Sequence, residues 1–522
     1  DFKKAALHGN VARKKRAEIY GDSRALLCVA TGQMAARDMG LVKGAEAILD
    51  LSQFSMVIFD EIHQAKGNDC YVLMLEEIRR HFGGCKVLCL SATPAETKRD
   101  LDNLLYLLRG NDLRERVGLI KVRVDPQPKK MIKVPVPLSP DILYFSKKLY
   151  EVAVCLHKRA LELSQPYPDI EREVRALLNG EGDSPWIAPE NVTKRLVSQV
   201  RRSVQYRAWR DNLIEHIYAV GAVGRYWRYL LGTGKFFFLD RMGRDLVYAF
   251  KVAIRGEREL RRPKLRRGSD NSWFFNMLRR NGELRPFIGR ITAIYREVSE
   301  GSGFSSVLKA SNLSELAIET GVSRSDLEDL KRGGSGRYKS GDALIKDIFA
   351  RLRASLSRDA EWRDHPLTER IVDIVESHLR YDRAGSIIVE SNFYEDALFI
   401  SEVLGGRLGE LYGVNFCTVA GSQYMGHRTA RENIAGFAAG NFPAMASTTF
   451  IGEGHHIPGA STLIIKHQPH RASQLQQFRG RVGREGVGLI YNLLLPQGER
   501  AFMVNMRRLK EMQRLIDRTF VD

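Results

Sequence analysis

Apolar positions along this 522-residue chain fall into two rhythms. In residues 1–128, and again from 366 onward, short unbroken apolar runs alternate with stretches in which apolar residues recur every three or four positions. Unbroken runs of that length read as strands buried on both faces, and the periodic stretches between them as covering helices; together they predict a parallel sheet. Residues 24–30 (RALLCVA), 55–59 (SMVIF) and the start of 87–94 (VLCLSATP) are the strands expected in the first part. Helices are expected over 13–20, 71–82 and 96–108. Residues 129–365 behave differently. Pro126, Pro128, Pro135, Pro137 and Pro140 punctuate the exit from the first part, and helical spacing then runs through 141–163, 192–210, 213–231 and 241–254. The expected fold class is α/β: a parallel-sheet lobe over 1–128, a long, mainly helical insertion over 129–365, and a second parallel-sheet lobe over 366–522.

The chemistry sits where the strands stop. The run at 54–63, FSMVIFDEIH, ends abruptly at Asp60 and Glu61. Open α/β sheets place ligands at the carboxyl ends of their strands. Two adjacent acids there suit the hydrolysis of a phosphate bond: Asp60 holds a Mg²⁺ through its water shell, while Glu61 orients and deprotonates an attacking water. The next strand ends in Ser91-Ala92-Thr93. Near the other end of the chain QFRGRVGR sets Arg481 and Arg484 three apart between glycines. Arginines supplied across a cleft would stabilise the charge that develops on a departing γ-phosphate.

These three pieces, in this order, resemble motifs II, III and VI of superfamily 2 helicases of the DExH kind, and so imply two RecA-like lobes that use ATP and Mg²⁺. HGN, KKRAEIY, ATGQ and FDEIHQAKGNDCY are similar to the branch that holds Hef, the Fanconi-anaemia translocase, Dicer and the RIG-I-like proteins. By that resemblance Gly9, Thr31 and Gln33 would lie along a nucleic-acid strand, holding phosphates without reading bases. His63 and Thr93 would link the acid site to the second lobe, with Ser91 in the same coupling motif, and Gln477 would sense the nucleotide. His365-Pro366 resembles the entry into the second lobe in that branch, and Ser391 stands in the place of motif IV. ASTTFIGEGHHIPGASTLII matches motif V, with Thr448, Gly452, Glu453 and Gly454 in register; His456 stands where the family usually has Asp. Gly-Arg-x-Gly-Arg resembles the Hef-type DNA branch more than the RNA sensors, which implies duplex or branched DNA as substrate. Positive-strand RNA virus helicases share parts of the pattern, so an RNA helicase is the alternative.

A motor of this kind needs a glycine loop ending in Gly-Lys-Ser/Thr. Gly232-Thr233-Gly234-Lys235 continues with Phe236, and the 333–336 glycines continue with Arg337; neither fits. The loop is therefore expected upstream of Asp1, the chain opening without methionine. The competing class is a motor-derived scaffold that grips nucleic acid without hydrolysing ATP.

Charge points the same way. A formal net charge of +19 implies a polyanionic partner, nucleic acid by default. Residues 251–267 carry a basic run with Arg261, Arg262, Arg266 and Arg267, placed after the aromatics Tyr206, Trp209, Tyr226, Trp227 and Tyr229. Such interleaving suits phosphate contact with base stacking, or equally a helical core beside a charged face. Residues 313–330 have the spacing of a helix-turn-helix, but Asp326, Glu328 and Asp329 on the second helix would repel phosphates, which favours a structural hairpin over a groove reader. The six cysteines are scattered without a second pair, which predicts a reducing compartment, cytoplasm or nucleus, rather than a zinc or disulfide framework. The sequence has no apolar run of membrane-spanning length and no secretory leader.

Overall fold

The computed structural model describes residues 3–7, 11–22, 25–42, 44–62, 65, 69–81, 85–91, 97–109, 129–179, 186–187, 190–250, 281–332, 337–338, 341–356, 365–381, 386–421, 425–448, 460–467, 472–480, 482–483 and 488–519. The architecture is mixed α/β with parallel-sheet cores, consistent with the two RecA-like lobes expected. The chain divides into two compact units, residues 1–128 with 469–481 and 501–522, and residues 129–468 with 482–500.

In the first unit β1 (Lys3–Leu7) and β2 (Ala25–Ala30) pair in parallel, with α1 (Arg13–Tyr20) between them in the chain. After α2 (Gly32–Asp38), β3 (Met56–Phe59) and β4 (Lys86–Cys89) form a second parallel pair around α3 (Cys70–His81). α4 (Lys98–Arg109) follows, its start capped by Thr97, whose hydroxyl oxygen accepts the Asp100 N–H at 3.1 Å. Phe59, Ala36, Met74, Leu75, Ile78 and Leu104 share one core. Burial on both faces is expected for these strands, and the structure corrects it. Val57 and Phe59 face that core, whereas Met56 and Ile58 are 45% and 52% exposed, with Leu27, Val29, Val87, Leu88 and Leu90 exposed as well. Side chains alternate along β3, which accounts for its split, whereas β4 has the consecutive Val87 and Leu88 both exposed.

A buried ion pair fixes the first helices. Arg16 grips Asp38 with both arms, Nε to Oδ2 at 2.8 Å and Nη2 to Oδ1 at 2.7 Å, and Tyr20 donates its hydroxyl to Asp38 Oδ2 at 3.0 Å. The KKRAEIY helix is thereby pinned to the helix that begins at Thr31-Gly32-Gln33. Burial, then the hydrogen bond to Asp38, pushes the Tyr20 phenol well above its ordinary value.

In the second unit one six-stranded sheet runs in the order β5-β12-β11-β8-β10-β9, every neighbouring pair parallel. Its strands are β5 (Lys129–Pro135), β8 (Ser386–Ser391), β9 (Cys417–Val419), β10 (Ala444–Thr448), β11 (Ala460–Ile465) and β12 (Gly488–Leu494). β5, from just before the helical segment, closes one edge by pairing with β12 along its whole length. β8, β9 and β10 are almost wholly buried, including the polar residues Glu390, Thr418 and Ser447 that they carry.

The helical part is led by α5 (Pro140–Ser164), α6 (Pro168–Arg175), α7 (Glu190–Ser203) and α8 (Arg207–Phe250). A two-strand ladder, β6 (Leu178–Asn179) with β7 (Trp186–Ile187), lies before α7. α9 (Arg285–Ser299), α10 (Leu313–Glu319), α11 (Arg324–Arg332) and α12 (Gly341–Leu356) follow, and α13 (Pro366–Tyr381) leads to β8. The expected hairpin at 313–330 forms as α10 and α11, with Leu313, Leu316, Ala317, Val322 and Leu327 buried. Of the aromatics singled out by sequence, Tyr226 and Trp227 are core, at 0% and 4% exposure, while Tyr206 and Trp209 are exposed at 70% and 36%. The basic run at 251–267 lies outside the described residues.

α8 consists of two helical legs broken at Gly234, whose φ of +86° and ψ of −177° are not helical. A break strands the carbonyls of the preceding turn. Two imidazoles meet them: His365 Nε2 lies 3.1 Å from the Leu231 carbonyl and His467 Nε2 lies 3.2 Å from that of Gly232. His365 also accepts the Leu367 N–H through Nδ1 at 3.2 Å, which caps α13. Burial, then the neighbouring Lys466, holds His365 neutral, its pKa lowered to about 3. Lys235, the next residue after the break, is ion-paired with Asp141. Gly232-Thr233-Gly234-Lys235 is thus a helix junction and not a phosphate loop.

Candidate active site

Asp60 and Glu61 form the turn in which β3 ends. Glu61 has φ +55°, the only positive φ of a non-glycine among the described residues. A glutamate held in the left-handed region costs about 1–3 kcal/mol and persists only where the surroundings impose it. Here the turn is clamped on both sides. Asp60 Oδ1 accepts the Glu61 N–H at 3.0 Å, and the Ile62 N–H donates to the Leu90 carbonyl at 3.1 Å. Leu90 in turn donates to Phe59 at 2.8 Å. The acid turn is therefore tied by backbone to the residue just before Ser91, so the two strand-end motifs of the sequence are brought together. Asp60 is exposed, Glu61 and Ser91 half-buried.

Tyr71, the last residue of the FDEIHQAKGNDCY stretch, borders this turn. Its ring meets Phe59 edge-on at 5.4 Å. Burial, followed by the negative charge of Cys70, Asp60, Asp69 and Glu61, raises its phenol. Asp69 fixes the helix carrying Tyr71 by accepting the Tyr71 N–H at 2.9 Å. Tyr71 also covers Gly32: a Cβ there would lie 2.3 Å from Tyr71 Cε1 and 3.0 Å from Cys70 Sγ. Gly32 lets the Thr31-Gly32-Gln33 turn close on the acid-bearing layer, leaving Thr31 and Gln33 at least partly exposed. Gly32→Ala should therefore cost about 1–3 kcal/mol by overpacking, since Phe59 blocks retreat of the ring. Urea denaturation measures the loss, and a midpoint equal to that of the unaltered protein would show that the ring gives way freely.

In the second unit Ser391 and Thr448 end adjacent parallel strands and stand opposite each other in register. Ser391 is 0% exposed, and its hydroxyl donates to Asp396 Oδ2 at 2.6 Å. The expected contact of this side chain with nucleic acid is corrected: its hydroxyl braces the turn after β8. Lys466 Nζ donates to Asp396 Oδ1 at 2.6 Å, both side chains being 0% exposed. Burial opposes the Asp396 charge, but Lys466, His467 and Ser391 outweigh it and hold the carboxyl below its ordinary range. Glu390, one residue before Ser391, is driven the opposite way by burial and by Asp396. No local signal announces the Asp396–Lys466 pair, because its members lie 70 residues apart in the chain.

Gln477 is half-buried on α14 (Ala472–Arg479). Gly9, His63, Thr93, Arg261, Arg262, Arg266, Arg267, Gly452, Glu453, Gly454, His456, Arg481 and Arg484 lie outside the described residues. Among the described residues no group of three or more His, Cys, Asp or Glu side chains is arranged to hold a metal. The donor set at β3 is an exposed carboxylate beside a second one. It fits a cation that keeps most of its water and takes its remaining oxygens from phosphates, as Mg²⁺ does.

Residues 369–486 match the helicase conserved C-terminal domain, so the segment built on β8, β10 and β11 is of the helicase class. Two curated relatives share shorter stretches. The DEAD-box ATP-dependent DNA helicase Fancm of Drosophila melanogaster is 32% identical over 95 residues, 18% of this chain. The transcription-repair-coupling factor of Staphylococcus haemolyticus (strain JCSC1435) is 41% identical over 71 residues, 13% of this chain. The matched stretches span 6% of the length of each relative. The domain match and the likeness to Fancm support a superfamily 2 helicase related to the Hef and Fanconi-anaemia translocase branch. The crystal structure of the Pyrococcus furiosus Hef helicase domain is similar at 18% identity and a TM-score of 0.43, over 96% of this chain and 82% of that one.

Proposed function

We propose that this helicase-class protein is a nucleic-acid-dependent ATPase that moves on, or unwinds, duplex or branched DNA. The observation that carries the reading is the acid turn: two carboxylates at a strand end, one on strained backbone, locked to the neighbouring Ser91 strand by the Ile62–Leu90 hydrogen bond. Asp60 holds a water-coordinated Mg²⁺, which when bound neutralises phosphate charge. Glu61 accepts the proton of the attacking water, and Arg481 and Arg484 stabilise the γ-phosphate as it leaves. Gln477, His63, Ser91, Thr93, Gly452, Glu453 and Gly454 couple the nucleotide to the strand, while Gly9, Thr31, Gln33, Thr448 and the arginines at 261–267 contact it. The lobes and the insertion divide at 1–128, 129–365 and 366–522, except that β5 (Lys129–Pro135) joins the sheet of the second lobe. The reaction requires a Gly-Lys-Ser/Thr loop to cradle the β-phosphate. DNA is preferred because the Fancm relative is by its name a DNA helicase. No helix among the described residues is long and apolar enough to cross a membrane.

The test is ATP hydrolysis by the full-length protein alone, with a forked DNA, and with RNA of the same sequence. Stimulation by DNA is expected. Stimulation by RNA alone would overturn the choice of substrate, and a rate that neither raises would overturn the motor.

A further inference from the structure

We infer that the elbow between α7 and α8 is a contact site for single-stranded nucleic acid, a reading that rests on the proposed function and adds a surface to it. The elbow is built and held. Val204 is 1% exposed and plugs the core, while Tyr206 begins α8 by accepting the Arg210 N–H at 2.9 Å. Trp209 donates its indole N–H to the Leu163 carbonyl at 2.7 Å, tying the elbow to the end of α5. Deeper in, a Cβ at Gly221 would lie 3.0 Å from Thr193 Cγ2, so the glycine lets the two helices leave the elbow closely packed.

What this rigid tip presents is basic and aromatic. Arg201, Arg202 and Arg207 are exposed, Arg210 partly so, and Tyr206 leaves 70% of its surface in water beside Trp209 at 36%. The only acid within residues 201–211 is Asp211, at 3.7 Å from Arg207 and 3.5 Å from Arg210. That leaves for phosphates Arg201 and the terminal guanidinium nitrogens of Arg202, whose Nε donates to the Ser198 carbonyl at 3.3 Å. Arginines tracking a backbone with aromatic rings for the bases form a sequence-tolerant single-strand platform, because every base has a face to stack. A duplex hides its bases and would use only the arginines. Tyr226 and Trp227 are core by contrast, which separates them from this role.

The experiment titrates the full-length protein with a fluorescent single-stranded oligonucleotide and with the matching duplex over a range of salt. Tyr206→Ala should weaken single-strand binding about tenfold and leave duplex binding unchanged. The double variant Arg201→Gln, Arg202→Gln should lower the slope of log affinity against log salt by about 1.4 for the single strand. Quenching of tryptophan emission by the oligonucleotide should fall in Trp209→Phe. Circular dichroism confirms that each variant folds. Unchanged binding in every variant would overturn the elbow while leaving the motor standing. Loss of duplex and single-strand binding in equal measure would overturn the stacking platform. Failure of the unaltered protein to bind either nucleic acid would overturn the proposed function along with it.

Discussion

Glu61→Gln is expected to lower nucleic-acid-stimulated ATP hydrolysis by about 10²- to 10⁴-fold, the usual contribution of a positioned general base. Glutamine keeps the length and shape of the side chain and has the same tolerance for the left-handed backbone at φ +55°, so the turn should be retained. What disappears is the capacity to take a proton. Binding of DNA, measured by anisotropy without nucleotide, should stay within the error of the unaltered protein. A stimulated rate left intact would remove Glu61 from the chemistry. A rate and a binding curve lost together would instead mean that the Ile62–Leu90 clamp had failed and the first unit had loosened.

Lys466→Met is expected to destabilise the second unit by about 3–5 kcal/mol, because it leaves the Asp396 carboxylate buried without its counter-charge. Lys466 and Asp396 are 0% exposed and joined at 2.6 Å; solvent cannot substitute for the missing ammonium. Adding Asp396→Asn to the Lys466→Met variant should recover most of the loss, since a buried pair replaced as a unit is close to neutral. Urea denaturation followed by circular dichroism reads both. If the single variant unfolds at the same midpoint as the unaltered protein, the pair contributes nothing; if the double variant remains as unstable as the single one, the damage lies elsewhere, for instance in the Ser391 brace.

The strand ends carrying Asp60-Glu61 and Ser91 were legible because parallel strands concentrate apolar residues and then stop, and ligand chemistry collects where they stop. The six-stranded sheet was legible in the same way, through short apolar runs after residue 366 such as those that become β8 and β11. Less visible was the role of individual polar residues inside a layer. Ser391 sits where its motif places it, yet its hydroxyl is consumed by Asp396. Tyr71 ends the FDEIHQAKGNDCY stretch, which gives it no role of its own, and turns out to border both the acid turn and Gly32. The aromatics of the insertion looked alike in sequence and split into core and surface.

By itself the sequence determined the strands that end at the carboxylates and at Ser91, and most of the helices, since these depend on local periodicity and on residue type; the lysine-bearing strands β1 and β5 did not show in it. Only the tertiary structure decided that Asp396 would face Lys466, that two histidines would meet the carbonyls at the break in α8, and that Met56 and Ile58 would remain exposed. Such pairings join residues far apart in the chain, and the free energy that selects them arises when water is excluded between packed layers. No local pattern of residues records it.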